Sequence, residues 1–452
     1  MVSMLIFSPR DITMIKPMAT LLLAAMALTP AYAEDLLQIY RLALDNDPTY
    51  KSSDINQSAV SEVRSQSIAQ MLPKLDFSAS SNRNRLENIR EGFTIFGLQP
   101  IQHYWDSALS INLVQPVFNW AHWIQLDRSD NQIAQAEAQF QAQQQSLITR
   151  TVQAYFNILA AEDDVSFKKA EHRAIEKQLE QAKQRFEVGL VAITDVYEAQ
   201  AAFDNAYANV IESENRVDSS KEVLREIVGD HAAELKRLRN EIPLMMPMPE
   251  DISAWVNTAE SNNFTIVAQI NQTELIRKNI DLQQARHLPT LDLVAQYRQM
   301  DNGNEFGFRG DNQSFGLQVN LPIFEGGGTV SRTRQAEFQY AAAKEDLVKV
   351  RRNVDRTVKD SYRAIITSIN RINALEANTR SAEKALAAAE AGFEAGTRTM
   401  VNLLEVQRNL YRAKSEYARS RYDYLINGVR LKEASGSLSE VDIQQVNEYL
   451  QN

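Results

Sequence analysis

The chain of 452 residues has no cysteine, which excludes a disulfide framework, a thiolate metal site, thiol catalysis and a lipid anchor on an N-terminal Cys. Histidine is scarce. His103, His122, His172, His231 and His287 fall in no H-x-x-H or H-E-x-x-H spacing, so no metal site is expected from local sequence. Surplus positive charge is also missing: 48 Lys+Arg against 58 Asp+Glu give a formal net charge of −10. Nucleic acid is therefore not an expected partner, because phosphate binding needs an excess of cations. No nucleophile elbow or other catalytic constellation is present, and Gly326-Gly327-Gly328 is followed by Thr-Val-Ser-Arg rather than by the Lys-Ser or Lys-Thr of a phosphate loop. Neither enzymatic activity nor a cofactor is expected. What is present, 44% hydrophobic and 23% charged residues, is close to the average for folded proteins.

Long apolar runs are lacking too. Lys16 to Ala33 reads KPMATLLLAAMALTPAYA, a basic residue, a short apolar run and the small-x-small site Ala31-Tyr32-Ala33. This predicts a signal peptide over residues 1–33 with cleavage after Ala33, and Met14 or Met18 as alternative initiators. No later stretch approaches the roughly twenty apolar residues that a membrane helix requires. The exported chain is then either soluble in the periplasm or inserted as β-strands.

Proline and glycine are absent between Pro116 and Gly189 and again between Gly328 and Gly392. A continuous helix over either gap would reach roughly 100 Å, far beyond the helices of a compact domain. Ile133, Phe140, Leu147 and Ala154 recur at sevenfold spacing, which suits a coiled coil. Each long segment closes on a glycine, Gly189 or Gly396, and restarts after Thr194-Asp195 or near Asn402. Glycine at a helix end followed by Thr, Asp or Asn predicts two sharp helical hairpins.

The halves match more widely. Leu72-Pro73-Lys-Leu75-Asp76 returns as Leu288-Pro289-Thr-Leu291-Asp292, and Tyr155, Phe186, Gly189 and Gln200 return as Tyr362, Phe393, Gly396 and Gln407. An internal duplication is indicated, with extra length in a first-half loop between about residues 84 and 106. Four segments alternate at period two: around Leu75-Phe77-Ala79, Leu109-Ile111-Leu113, Leu291-Leu293-Tyr297 and Phe315-Leu317-Val319-Leu321. Each spans about ten residues, the length of a tilted transmembrane strand. Trp105, Trp120, Trp123 and Phe324 lie near strand ends, where aromatic girdles form. A small soluble sheet covered by helices remains open on alternation alone. Membrane strands would have to be shared, because four strands cannot close a barrel and lipid tolerates no open edge. Three chains would give twelve.

Ala391 to Leu438, with its AGFEAGTRTMVNLLEVQRNL start, resembles the distal half of the TolC family of outer-membrane channels of multidrug efflux and type I secretion. Arg185 to Val196 is similar to the counterpart in the family's first repeat, and Leu321-Pro322-Ile-Phe-Glu-Gly326-Gly327 resembles the family's strand-to-helix junction, with Pro116 at the matching place in the first half. The resemblance spans about residues 34 to 445. It implies an α+β membrane protein, mainly α: two long coiled-coil hairpins forming a periplasmic α-barrel, and four strands per chain in a shared twelve-stranded trimeric β-barrel. It further implies a homotrimer in the outer membrane lipid that works with a periplasmic adaptor, or membrane fusion, protein and an inner-membrane transporter of RND, ABC or MFS type. The expected division is residues 34–241 as a first repeat, 242–262 as a link, 263–435 as a second repeat and 436–452 as a tail at the waist. A soluble periplasmic coiled-coil adaptor or scaffold is the alternative.

By the same resemblance the hairpin turns form the periplasmic mouth. The acidic pair that projects into the family's pore falls on Asn402 and Glu405, so three copies would present a ring of Glu405 carboxylates, its acidity weakened by mutual repulsion, with Asn402 in place of the second acid. Asn402-x-x-Glu405 and Asp195-x-x-Glu198 also have capping-box spacing, and both roles stay open. Family gate bonds join an Arg and a Tyr of the second hairpin to a Thr-Asp pair of the first; the matching positions are Arg398, Phe393, Thr194 and Asp195. Phe393 has no hydroxyl, which leaves the closed state to rest more on Arg398, unless that residue is a solvated helix-end cation. Gly326 and Gly327 are expected to allow a sharp turn where a side chain would clash.

Overall fold

The computed structural model describes residues 33–87, 101–230, 234–303 and 307–451. The predicted signal peptide lies outside them apart from its last residue, as does the middle of the expected first-half loop. Two short helices, α1 (Leu36–Asn46) and α2 (Pro48–Ala69), lead into strands β1 (Lys74–Glu87) and β2 (Ile101–Phe118). A helix of 68 residues, α3 (Trp120–Glu187), then turns back into α4 (Ile193–Val228). The order repeats as α5 (Ile252–Asn262), α6 (Phe264–Ala285), β3 (Thr290–Asn302), β4 (Arg309–Asn320), α7 (Gly328–Glu394), α8 (Met400–Ala434) and the small α9 (Glu440–Asn447).

Corresponding helices have nearly the same length: α2 and α6 have 22 residues each, α3 and α7 have 68 and 67, α4 and α8 have 36 and 35. Each long helix is flanked in two stages. Near the strands α3 meets α2 through Arg64 and Asp130, and α6 through Asn131 and Asn271. Toward the turn it meets α4, where Lys169 bonds Glu214 at 2.6 Å. The second hairpin repeats this, with Thr273 of α6 on Ala343 and Lys414 of α8 on Glu383.

The four strands form one antiparallel sheet in the order β1-β2-β3-β4. Register places Leu75, Leu113, Ala295 and Phe315 in one row, and Asp76, Asn112, Gln296 and Ser314 in the next. Because side chains alternate between faces, one face is apolar and the other polar. Ser78 and Ser110 share a hydroxyl bond of 2.8 Å on the polar face, and Gln296 Nε2 donates to Asn112 at 2.7 Å. The apolar face is bare: Phe315 is 77% and Leu317 66% exposed. The alternative of a small sheet covered by helices is thereby overturned, since among the described residues no helix lies over these side chains. The strands are also longer than the expected ten residues, at 14, 18, 13 and 12. Alternation marks only the apolar part of each ladder, which continues through polar residues such as Asn82 to Arg85. The first-half loop is correspondingly shorter, because β1 runs to Glu87 and β2 starts at Ile101. Among the described residues no helix is long and apolar enough to cross a membrane.

At the junctions Pro116 lies within β2, at a register shift between Pro116 and Phe118, and Asn119 caps α3 by accepting from Ala121 N. Pro322 follows β4 in the irregular segment before α7. Gly326 and Gly327 have φ of +61° and +81°, yet a Cβ on either would meet nothing within 4 Å. The expected clash is corrected: these positions favour glycine because the backbone is left-handed, not because space is short.

A large core sits at the waist, where the middles of α3 and α7 meet α1, α5, α9 and the ends of α4 and α8. Tyr155 lies fully buried there and donates to the carbonyls of Glu34 and Lys236. The terminal segments are stitched across this core by bridges of Glu34 with Leu235 and Leu238 with Leu450. Asp47, 1% exposed, caps α2 and accepts both arms of the Arg150 guanidinium, at 2.8 and 3.2 Å.

Candidate functional site

The two hairpin turns share one geometry. Gly189 donates its N–H to Phe186 O and Leu190 to Arg185 O; Gly396 donates to Phe393 O and Thr397 to Gly392 O. Both are Schellman endings with the glycine left-handed, at φ of +76° and +70°. These bonds satisfy carbonyls that the long helices would otherwise leave bare, so each 100-Å-scale helix ends two residues before its glycine.

The restarts differ from the capping-box expectation. Thr399, not Asn402, is the N-cap of α8, its hydroxyl accepting from Asn402 N. The N-cap of α4 is Ala192, which has no side-chain bond, and Asp195 stands in the first turn. Both helices begin three residues earlier than expected, and so neither Glu405 nor Glu198 occupies the capping position. Asp195 instead places negative charge on the helix N-terminus, which favours it. Glu405 is exposed and makes no hydrogen bond or ion pair among the described residues.

The hairpins are joined beneath their turns by a second core of Ile175, Leu179, Val196, Phe393, Met400, Leu403 and Leu404. Fully buried Ala182, Ala199 and Ala389 let the helices approach closely. Phe393 is 7% exposed, whereas its counterpart Phe186 is 42% exposed. Where the resemblance would have a tyrosine hydroxyl bond, Phe393 has the Arg185 guanidinium above its ring, 4.9 Å from the centroid. Arg398 donates through Nη1 to Asn402 at 2.9 Å, so within one chain it grips its own helix and not Asp195. Thr194 and Asp195 lie on the first hairpin, Arg398 and Asn402 on the second.

Three contributors lie outside the expected gate residues. Gly392 accepts from the N–H of both Thr397 and Arg398 and from the Thr397 hydroxyl. A Cβ there would stand 3.0 Å from Arg398 Cγ, so the glycine leaves the groove in which the arginine folds back. Its signal was a glycine in helical sequence where the first repeat has Arg185. Arg185 itself and the cap Thr399 are the other two, the latter one of several polar residues in Thr397-Arg-Thr-Met-Val-Asn402.

The outer membrane efflux protein family model matches residues 39–230 and 255–437. The chain is 36% identical to outer membrane protein TolC of Vibrio cholerae over 421 residues, 92% of this chain and 94% of that one. It is 28% identical to the alkaline protease secretion protein AprF of Pseudomonas aeruginosa, covering 92% and 87%. Its fold resembles the Campylobacter jejuni CmeC outer membrane channel with a TM-score of 0.77 at 17% identity, over 92% of this chain and 90% of that one. With two repeats of strand pair and helical hairpin and this breadth of match, the chain belongs to the outer membrane efflux protein family, on its TolC branch.

Proposed function

We propose that the protein is an outer-membrane exit duct for efflux and type I secretion, a passive conduit whose periplasmic mouth is the pair of hairpin turns. One observation carries this reading: a four-stranded sheet with a bare apolar face and two edges, β1 and β4, unpaired among the described residues, that runs into helices of 68 and 67 residues. Lipid would cover the face, and the edges would pair with further copies. Three copies would give twelve strands and a helical tunnel on the same axis. Exposed Trp120, Trp123 and Phe324, just past the strands, suit the membrane interface. The relatives named for secretion and efflux support both cargo routes, with an adaptor and an inner-membrane transporter supplying energy. On this reading residues 34–241 and 263–435 are the two repeats, with 242–262 and 436–452 wrapped at the waist.

At the mouth, Glu405 of each copy would face the axis, and Asn402 would be occupied with Arg398. Asp195, paired with no arginine among the described residues, would meet Arg398 of a neighbouring copy in the closed state, and outward unwinding of the hairpins would open the duct like an iris. The test is single-channel conductance of purified protein in planar bilayers, wild type beside Glu405→Ala, with divalent cations on the periplasmic side. Cation-selective steps blocked by divalents only when Glu405 is present support duct and ring together. Absence of any steps from membrane-inserted protein refutes the duct, and block that survives the substitution refutes the ring.

A further inference from the structure

We propose that the concave pocket between α3, α7 and α8 at the waist binds a small multivalent oxyanion of the phosphate class. The pocket, a cavity of about 440 Å³, is lined by Arg363 and Arg371 of α7 and Arg419 and Arg430 of α8, with Asp423 the one carboxylate among its lining residues. Such a density of one charge is unexpected in a chain whose net charge is −10.

Several arginines elsewhere in the molecule are gripped by carboxylates at hydrogen-bond distance. Arg150 grips Asp47 with two bonds, Arg277 bonds Glu274 and Asp281, and Arg332 bonds Glu325 at 2.8 Å. The pocket arginines are held more loosely, two by distant ion pairs and two by no carboxylate. Arg430 donates to the neutral Gln153 amide at 2.9 Å. Arg363 stands 3.8 Å from Asp360 and Arg419 3.9 Å from Asp423, both beyond hydrogen-bond reach, and Arg371 has neither a hydrogen bond nor an ion pair among the described residues. Guanidinium forks that line one pocket with few acceptors of their own repel one another, and an anion bridging them relieves that repulsion.

The ligand class follows from shape. Guanidinium forks match the paired oxygens of a tetrahedral oxyanion, and the side chains of Asn157 and Thr367 in the same wall add neutral donors. A chloride ion is a single spherical acceptor and lacks the paired oxygens that match each fork. A lipid headgroup cannot reach the site: α7 starts directly after β4, and Arg363 lies about 35 residues along it, roughly 50 Å at 1.5 Å per residue. The site is built by one chain, and only the exclusion of lipid headgroups rests on the sheet lying in the membrane, as proposed above.

The test titrates inorganic phosphate into the full-length detergent-purified protein by calorimetry, with sodium chloride at matched ionic strength as control. Saturable phosphate binding is expected. In Arg363→Gln with Arg371→Gln it should weaken at least about tenfold, as expected for losing charge-assisted bonds, with partial recovery in Arg371→Lys. Both side chains are exposed, so the variants should keep the wild-type thermal midpoint without phosphate. If the double variant does not fold, Arg371→Gln alone decides. Heat no greater than the chloride control, or wild-type affinity in the folded variant, overturns the proposal.

Discussion

The Arg185 guanidinium lies 4.9 Å from the centre of the Phe393 ring, which joins the end of the first hairpin's outgoing helix to the end of the second's. Arg185 is also the basic residue in the last turn of α3, where the helix dipole favours a cation. Its alkyl stem and charge thus serve two ends at once. Arg185→Gln should remove the ring contact, worth on the order of 1 kcal/mol at a partly exposed site, without emptying the core. Hydrogen exchange of residues 180–200 and 388–405 should quicken in both segments together. Faster exchange in the first segment alone would mean that Arg185 acts only on its own helix.

Phe393→Ala should do more, because it empties a position that is almost fully buried against Met400 and Leu403. Large-to-small changes of this kind cost about 3–5 kcal/mol. The waist core is separate, and so the loss should appear as local opening of the turns, read as more frequent conductance steps, while the thermal midpoint of the whole protein barely moves. A large fall in that midpoint would show that the two cores melt as one.

Much of this was legible in the chain. Gly189 and Gly396 marked the turns because glycine is the residue that adopts positive φ without strain, and the Pro-free and Gly-free gaps marked the long helices. The strand cores showed through alternation, but their polar extensions did not, since Asn82 to Arg85 carries no apolar period. Asn402-x-x-Glu405 misled because Thr397, Thr399 and Asn402 are all good caps, and only backbone geometry reveals that Thr399 is used. The Arg185–Phe393 contact was invisible because it pairs residues in different repeats, and no local pattern records such a meeting.

Asp47 supplies a pH-dependent prediction. Burial alone would raise its carboxyl, but the Arg150 guanidinium and the N–H of Tyr50 outweigh this and hold it below the usual carboxylate range. A folded-state value below the unfolded one means that the pair stabilises the fold above about pH 4 and stops doing so as pH falls through the folded value. Arg150→Gln leaves a buried carboxylate without its cation and should cost about 3–5 kcal/mol at neutral pH. The variant's thermal midpoint should be most depressed near pH 7 and approach wild type in acid. A deficit of equal size at both ends would rule out the ion pair as its cause.

Two left-handed glycines give the sharpest comparison, because they share a conformation and differ in surroundings. A Cβ on Gly189 would meet nothing within 4 Å, so Gly189→Ala carries only the backbone penalty, roughly 1–2 kcal/mol. At Gly436, φ +73°, the added carbon would stand 2.4 Å from the Asn262 carbonyl oxygen, where α8 ends against the α5–α6 corner. That corner cannot yield freely, because Asn263 caps α6 and donates to Ala434 O at 2.9 Å. Gly436→Ala must therefore push the end of α8 away from α6, breaking that bond as well as straining the turn, for a loss on the order of 3 kcal/mol or more. Thermal unfolding followed by circular dichroism should place the Gly436→Ala midpoint well below that of Gly189→Ala. Equal midpoints would mean that backbone conformation alone sets the cost, and that the contact between α8 and the corner contributes little to the waist.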